Sequence, residues 1–305
     1  MRVTVIHNPD SGKDEQPSSD KLLGLIRRAG HTAVYRSSKD DNWEDALKEP
    51  GDIVAVAGGD GMVGKIAKWI AGRHIPIAIL PIGTANNIAK TLGLTNRSLK
   101  QLIAGWKDAR KKQFDVGVAT GPWGSRCFIE GLGVGLFTQT MYRLNARDNI
   151  HFAHANGTEE KIASALEILK QLLQSCPAKP LKVVLDGTDA SGEYILLEVM
   201  NTKLIGPNLY LAPDADPGDG LLDVVFLSQG DRDKLDGYLS DSLEGKHSSP
   251  GLPIRRGRHL QIEFEGSVIH IDDQVWPDSG SPFLSSSTIV DVKVNGHALE
   301  FLVPA

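Results

Sequence analysis

Residues 53–57, Ile-Val-Ala-Val-Ala, are apolar without interruption, and Gly58-Gly59-Asp60-Gly61 follows at once. From Met62 to Ala71 apolar residues recur at helical spacing. A strand that is continuously apolar rather than alternating is buried on both faces, which is the condition of a strand inside a parallel sheet covered by helices. Glycines crowded at its end mean that something comes close to the backbone there, where any Cβ would collide.

The same alternation fills the first third of the chain. "RVTVIHNP" stops at Pro9, and Leu22, Leu23, Leu25 and Ile26 recur at helical spacing before Gly30. "HTAVYR", "DIVAVA" and "IPIAILP" read as three further strands, with short helices at "NWEDALK", Asn87–Leu92 and Leu99–Trp106. Strand and helix in alternation predict a Rossmann-like parallel sheet with helices on both faces. Near residue 115 the texture changes. "FDVGVAT", "SRCFIEGLGVGLF", "LKVVLDG", "EYILLEVMN", "LLDVVFLS", "HLQIEFE" and "STIVDVKVNG" are strand-like and set apart by Gly, Pro, Asp or Ser. One clear helix, "EEKIASALEILKQLLQS", interrupts them. This half predicts an antiparallel β domain carrying one long helix. The expected division is an α/β domain over 1–118 and a β-rich domain over 119–296, with the apolar segment 297–305 returning to the first.

A length of 305 residues suits two cores. A formal net charge of −5 argues against a nucleic-acid partner. Cys127 and Cys176 are the sole cysteines, so no disulfide framework is expected and a reducing, cytoplasmic setting fits. No stretch approaches the ~20 apolar residues of a membrane span, so the expectation is a soluble protein. The basic run "KDARKKQ" (107–113) reads as a solvated helix end that can meet anionic headgroups, and Trp69 reads as core.

Strand, glycine turn and helix form the geometry of a phosphate site, because free N–H groups and the helix dipole point outward. Ala57 to Val63 (Ala57, Gly58, Gly59, Asp60, Gly61, Met62, Val63) carries that turn, in neither the G-x-G-x-x-G nor the P-loop pattern. Asp60 repels a phosphate unless a metal lies between them. Equally, an Asp at such a junction serves as a turn or N-cap residue. "LPIGTANNIAK" (Leu80–Lys90) repeats the device after the next strand, where Gly83 turns, Thr84 offers a hydroxyl, and Asn86 and Asn87 offer amides. "NPDSG" adds Asn8, Ser11 and Gly12 after the first strand. Neighbouring parallel strands that end in polar turns make a crevice where ligands bind.

"NPDSG", "GGDGM" and "PIGTANNIAK", in this order, resemble the diacylglycerol kinase catalytic domain family, which includes bacterial lipid kinases and sphingosine kinases and is related to NAD kinases and phosphofructokinases. The resemblance runs on through "FIEGLGVG" and "NLYLAPDADPGDGLLDVVFL" and covers most of the chain. It implies a nucleotide-binding α/β domain followed by a β-rich domain. It also implies ATP and Mg²⁺ as cofactors, and transfer of the γ-phosphoryl group, in the cleft between the domains, to a lipid hydroxyl such as that of diacylglycerol at a membrane surface. Transient membrane association is expected with it. By this resemblance Asp60 holds the catalytic Mg²⁺, directly or through water. Asp216, with the backbone carbonyls of Asp219 and Leu221, holds a structural Mg²⁺.

Four positions depart from the family pattern. Met62 stands where the family usually has Thr, Asn87 where it has Asp, and Glu130 where it often has Asn. In "IHIDDQVWP", Gln274 stands where the family carries the Glu taken to deprotonate the lipid hydroxyl. On a strand His270, Asp272 and Gln274 would share one face, which makes Asp272 the remaining candidate base. The alternative expectation is a nucleotide-binding kinase homologue with weak or no kinase activity, acting as a sensor or regulator.

Overall fold

The computed structural model describes residues 1–12, 16–145, 157–246, 248–266, 268–277 and 287–305. The chain divides into two compact units, Met1–Asp115 with Gly296–Ala305, and Val116–Asn295.

In the first unit β1 (Arg2–His7), α1 (Ser19–Arg28), β2 (Thr32–Ser37), β3 (Ile53–Gly58), α2 (Asp60–Ile70), β4 (Ile77–Pro81), α3 (Asn87–Thr91) and α4 (Leu99–Ala104) follow one another. The strands lie in the order β2-β1-β3-β4, all parallel. Every residue of β3 is buried, as its unbroken apolar run requires. Helix α1 starts on the Ser18 side chain, which accepts from Lys21 N–H, and buries Leu22 and Ile26. Helix α2 starts two residues before the apolar pattern, at Asp60, because the polar side of its first turn is invisible to periodicity. The last residues return beside β4, with Phe301 paired in parallel to Ile77 and its ring tilted against that of Phe114, centroids 4.9 Å apart.

Two expectations need correction in this unit. Trp69 is exposed, with the Arg73 guanidinium over its ring, while Trp43 and Trp106 are buried. The basic run closes a helical turn at Lys107, but from Arg110 it enters a strand, where Lys111 pairs with Glu300 at 2.9 Å.

The chain continues through β5 (Arg110–Gly121), β6 (Gly124–Phe128), β7 (Gly131–Gly135), α5 (Leu136–Asn145), α6 (Thr158–Ser175), β8 (Lys179–Leu185), β9 (Thr188–Asp189), β10 (Gly192–Tyr194), β11 (Leu196–Met200), β12 (Leu222–Leu227), α7 (Arg232–Leu243), β13 (Ile254–Gly257), β14 (His259–Phe264), β15 (Ile269–Ile271), β16 (Gln274–Trp276) and β17 (Thr288–Val303). In the second unit β10, β8, β14 and the first half of β17 form one antiparallel sheet. The order β13-β12-β11-β7-β15-β16 forms another, also antiparallel. Leu132, Val134, Leu197, Val199, Val183, Ile262 and Val290 fill the core that these strands share. Alternate residues of the six-stranded sheet, Leu196, Met200, Val225 and Leu227, pack instead on Phe137, Leu166, Leu169 and Leu239 from the helices. Three α-helices are described here where the sequence pattern singles out only α6: the start of α5, Leu136-Phe137, continues the strand-like run "FIEGLGVGLF", and α7 carries few apolar residues. No described helix is long and apolar enough to cross a membrane.

Candidate active site

Strands β1, β3 and β4 run parallel, with His7 opposite Ala57 and Ala57 opposite Leu80, so their terminal turns lie on one edge. After β1, Asn8 N–H donates to Ala57 O at 2.9 Å, and Asn8 Oδ1 accepts from Asp10 N–H at 3.2 Å. Gly12 has φ +79°, and a Cβ there would lie 2.2 Å from Ile82 O. A Cβ on Gly83 would lie 2.2 Å from the Cα of Gly59. The three turns therefore interlock backbone to backbone, and the glycines first clear room for one another. Gly58 similarly admits the Met62 side chain, whose Cβ would be 3.0 Å from an added methyl. Ser11 Oγ and Thr84 N lie 3.5 and 3.9 Å from the Cβ position of Gly59, so both approach the start of α2.

Asp60 opens α2, yet its carboxylate serves another helix. Oδ2 accepts from Asn87 N–H and Oδ1 from Ile88 N–H, each at 2.9 Å, which caps α3. Burial pushes the Asp60 pKa up, while the two amides and the Lys90 ammonium pull it down. Lys90, one turn along α3, has its own pKa lowered by burial, and no local pattern in the sequence singles it out. Asn86 takes a left-handed conformation, φ +54°, and its side chain closes the turn by accepting from Gly83 N–H and donating to Gly83 O. Asn87 is buried. The two amides expected to face a phosphate are thus engaged in the turn or packed inside. Nearby, His7 is buried with Nδ1 2.9 Å from Tyr35 OH, and burial lowers its pKa.

In the second unit the polar segment after β15 is a hairpin turn, not a continuing strand. Ile271 pairs with Gln274 and His270 with Val275, around the two-residue turn Asp272-Asp273. The chain reversal separates the residues expected on one face: His270 is fully buried, and Gln274 is exposed. Asp272 has φ +50°. Its carboxylate accepts from the N–H groups of Ile129, Glu130 and Gly131 at 3.1, 2.9 and 3.2 Å, and its own N–H donates to Gly131 O. It anchors the 129–131 turn, with Oδ1 taking all three amides and Oδ2 sharing that of Ile129. Glu198 and His270 form a buried pair at 2.8 Å that no local pattern announces.

Residues 2–119 match the diacylglycerol kinase catalytic domain family, and residues 144–278 match the YegS C-terminal NAD kinase beta sandwich-like domain. Both stretches liken the chain to the diacylglycerol kinase-like family. It is 28% identical over 286 residues to a diacylglycerol kinase of Mycobacterium tuberculosis, covering 89% of this chain and 88% of that protein. To a diacylglycerol kinase of Staphylococcus aureus it is 24% identical over 301 residues, covering 95% and 91%. A crystal structure of a diacylglycerol kinase from Bacillus anthracis superposes with a TM-score of 0.70 at 19% identity, covering 99% of this chain and 96% of that one. Yeast NADH kinase complexed with NADH gives 0.52 at 9% identity, covering 100% and 84%. At these identities the structural likeness speaks for the fold. A sheet of parallel strands followed by antiparallel β structure is the architecture this diacylglycerol kinase-like chain shares with both.

The acidic loop of this chain is also visible. Asp216 Oδ1 accepts from Gly218 N–H at 3.0 Å, and Asp219 Oδ1 from Leu221 N–H at 2.9 Å. Arg256, opposite Asp223 in the β12–β13 register, pairs with both Asp219 and Asp223. Burial raises the Asp223 pKa to about 6 against the pull of Arg256. One carboxylate and two carbonyls within one tight turn suit a hard cation. Two of the neighbouring carboxylates nevertheless share the one guanidinium, which offsets one of their two charges. Among the described residues no group of three or more His, Cys, Asp or Glu side chains is arranged to hold a metal.

Proposed function

We propose that this chain is an ATP- and Mg²⁺-dependent lipid kinase, transferring the γ-phosphoryl group to a lipid hydroxyl, such as that of diacylglycerol, presented at a membrane surface. One observation carries the proposal. Three turns on one parallel edge interlock through Gly12, Gly59 and Gly83 and bring Ser11 and Thr84 to the start of α2. Such a backbone-lined edge at a helix N-terminus takes a polyphosphate.

The backbone of Ala57 to Val63, with Ser11, Gly12 and Thr84, would hold the phosphates, while Asn8, Gly83, Asn86 and Asn87 shape the flanking turns. Each Asp60 oxygen accepts one amide and retains a second lone pair, which fits a water-mediated contact to a nucleotide-borne Mg²⁺. When bound, that ion offsets the charge on the phosphates during transfer. Met62 offers no donor where a hydroxyl would bond a phosphate, a contact worth roughly 1.5–3 kcal/mol. A second cation, held by Asp216 with the carbonyls of Asp219 and Leu221, would be structural.

At the acceptor, Gln274 cannot take a proton at neutral pH, and Asp272 is engaged by three amides. Transfer then rests on positioning and charge, without the ~10²–10⁴-fold that a general base contributes. Those two observations favour the second reading, a nucleotide-binding kinase homologue with weak or no activity.

Transfer of labelled γ-phosphate to a total lipid extract in mixed micelles, beside Asp60→Ala, separates the two. A labelled lipid that disappears in the variant supports the kinase and identifies its substrate class. ATP binding without any labelled lipid supports the second reading and ends the first.

A further inference from the structure

Glu198 on β11 and His270 on β15 are both register partners of Gly133, which lies between them on β7. Their side chains meet over that glycine, and a Cβ on Gly133 would stand 2.0 Å from Glu198 Oε2. Both residues are fully buried, on the face where Leu196 and Met200 contact the helices, and the Phe137 ring lies edge-on to His270 at 5.0 Å. An apolar pair would fill this space at no electrostatic cost, and such replacements of buried ion pairs are often neutral or stabilising. Stability alone therefore does not account for an acid and a histidine here.

The second nitrogen of the imidazole supplies the reason. His270 Nδ1 is 3.0 Å from the carbonyl oxygen of Asp272, which can only accept, so Nδ1 carries a proton. Nε2 faces Glu198 Oε1 at 2.8 Å, and the pair shares one further proton whichever atom holds it. Burial drives the Glu198 pKa up, and the Glu198 charge drives that of His270 up against its own burial, so the shared proton is retained. Asp272 is a non-glycine residue in the left-handed region, where a carbonyl direction has to be imposed from outside. His270 holds its carbonyl, and the amides of 129–131 hold its carboxylate.

We propose that Glu198 and His270 are positioning residues: the buried pair aims His270 Nδ1–H at the Asp272 carbonyl and so sets the Asp272-Asp273 turn from which Gln274 projects. The catalytic consequence rests on the lipid kinase reading above; the conformational one does not.

Asn and Gln substitutions separate the two nitrogens. The amide nitrogen of Asn lies two bonds from Cβ, like Nδ1, and that of Gln three bonds, like Nε2. Glu198→Gln is combined with each so that no carboxylate is stranded. Amide hydrogen exchange at Ile129, Glu130, Gly131 and Asp272 is the first readout. The pair Glu198→Gln/His270→Asn is expected to stay close to the Glu198→Gln single variant. Glu198→Gln/His270→Gln should exchange about tenfold faster at these four amides, the worth of one hydrogen bond. Equal exchange in the two double variants, or losses that simply follow their melting temperatures, would overturn the proposal. The second readout is lipid phosphorylation, where kcat should fall in the Gln double variant and hold in the Asn one, with KM for ATP unchanged in both. Wild-type protein that transfers no phosphate would remove the kinase reading while the exchange comparison still decides the positioning role.

Discussion

A Cβ on Gly83 would stand 2.2 Å from the Cα of Gly59, and the contact is with backbone, so nothing flexible can give way. Gly83→Ala should cost about 1–3 kcal/mol as overpacking does, read from urea unfolding; a variant as stable as wild type would mean that the turns do not interlock. Asp60→Ala should do two things at once. It leaves the Asn87 and Ile88 amides without their acceptor, at about 1–3 kcal/mol, and it weakens Mg²⁺-dependent ATP binding. Unchanged affinity in titration calorimetry would leave Asp60 as a cap alone. Gln274→Glu should accelerate lipid phosphorylation towards the ~10²–10⁴-fold of a general base. No gain in kcat would mean that the hydroxyl proton leaves by another route. Of these residues, the glycines and Asp60 are conspicuous in the sequence, whereas their partners are not.

Among the elements, α3 has five residues, Asn87–Thr91, too few to persist alone. Asp60 from α2 supplies the cap that its own N-cap residue, left-handed Asn86, does not. The β15–β16 hairpin shows the limit of strand periodicity. "IHIDDQVW" reads as one polar face only until the turn at Asp272-Asp273 reverses it, and two aspartates are weak turn signals beside Asn-Gly or Asp-Gly. The β12–β13 pair carries its own cation, Arg256 opposite Asp223. Arg256→Met should lower stability by about 1–2 kcal/mol, a value discounted because the side chain is 41% exposed. Its melting temperature should then rise with added Mg²⁺ more than that of wild type. Identical Mg²⁺ responses would mean that the guanidinium and a cation do not share the loop's charge.

For the whole molecule, one part of the pH response comes from histidines buried in the first unit. His7 and His31 have pKa values lowered by burial, and neither His31 nitrogen has a hydrogen-bond partner among the described residues. Below the ordinary value of about 6.5 the unfolded chain binds protons that the folded unit refuses, so stability is full above that pH and lost as pH falls towards the folded values. Asp60, raised by burial, works the opposite way above its ordinary value, so the difference between wild type and His31→Leu isolates the histidine. Denaturant unfolding from pH 7 to pH 5.5 should show a smaller loss in His31→Leu; equal losses would mean that His31 titrates alike in both states. At this scale the sequence by itself determined the two textures, parallel α/β and then antiparallel β, and the three polar turns after β1, β3 and β4, because burial period and turn chemistry are local properties of a chain. Tertiary structure alone decided that Asp60 caps a helix 27 residues away, that Glu198 meets His270 across 72, and that Gly59 yields space to Gly83. Those contacts depend on strand register and on which turns share an edge, and no window of neighbouring residues contains either.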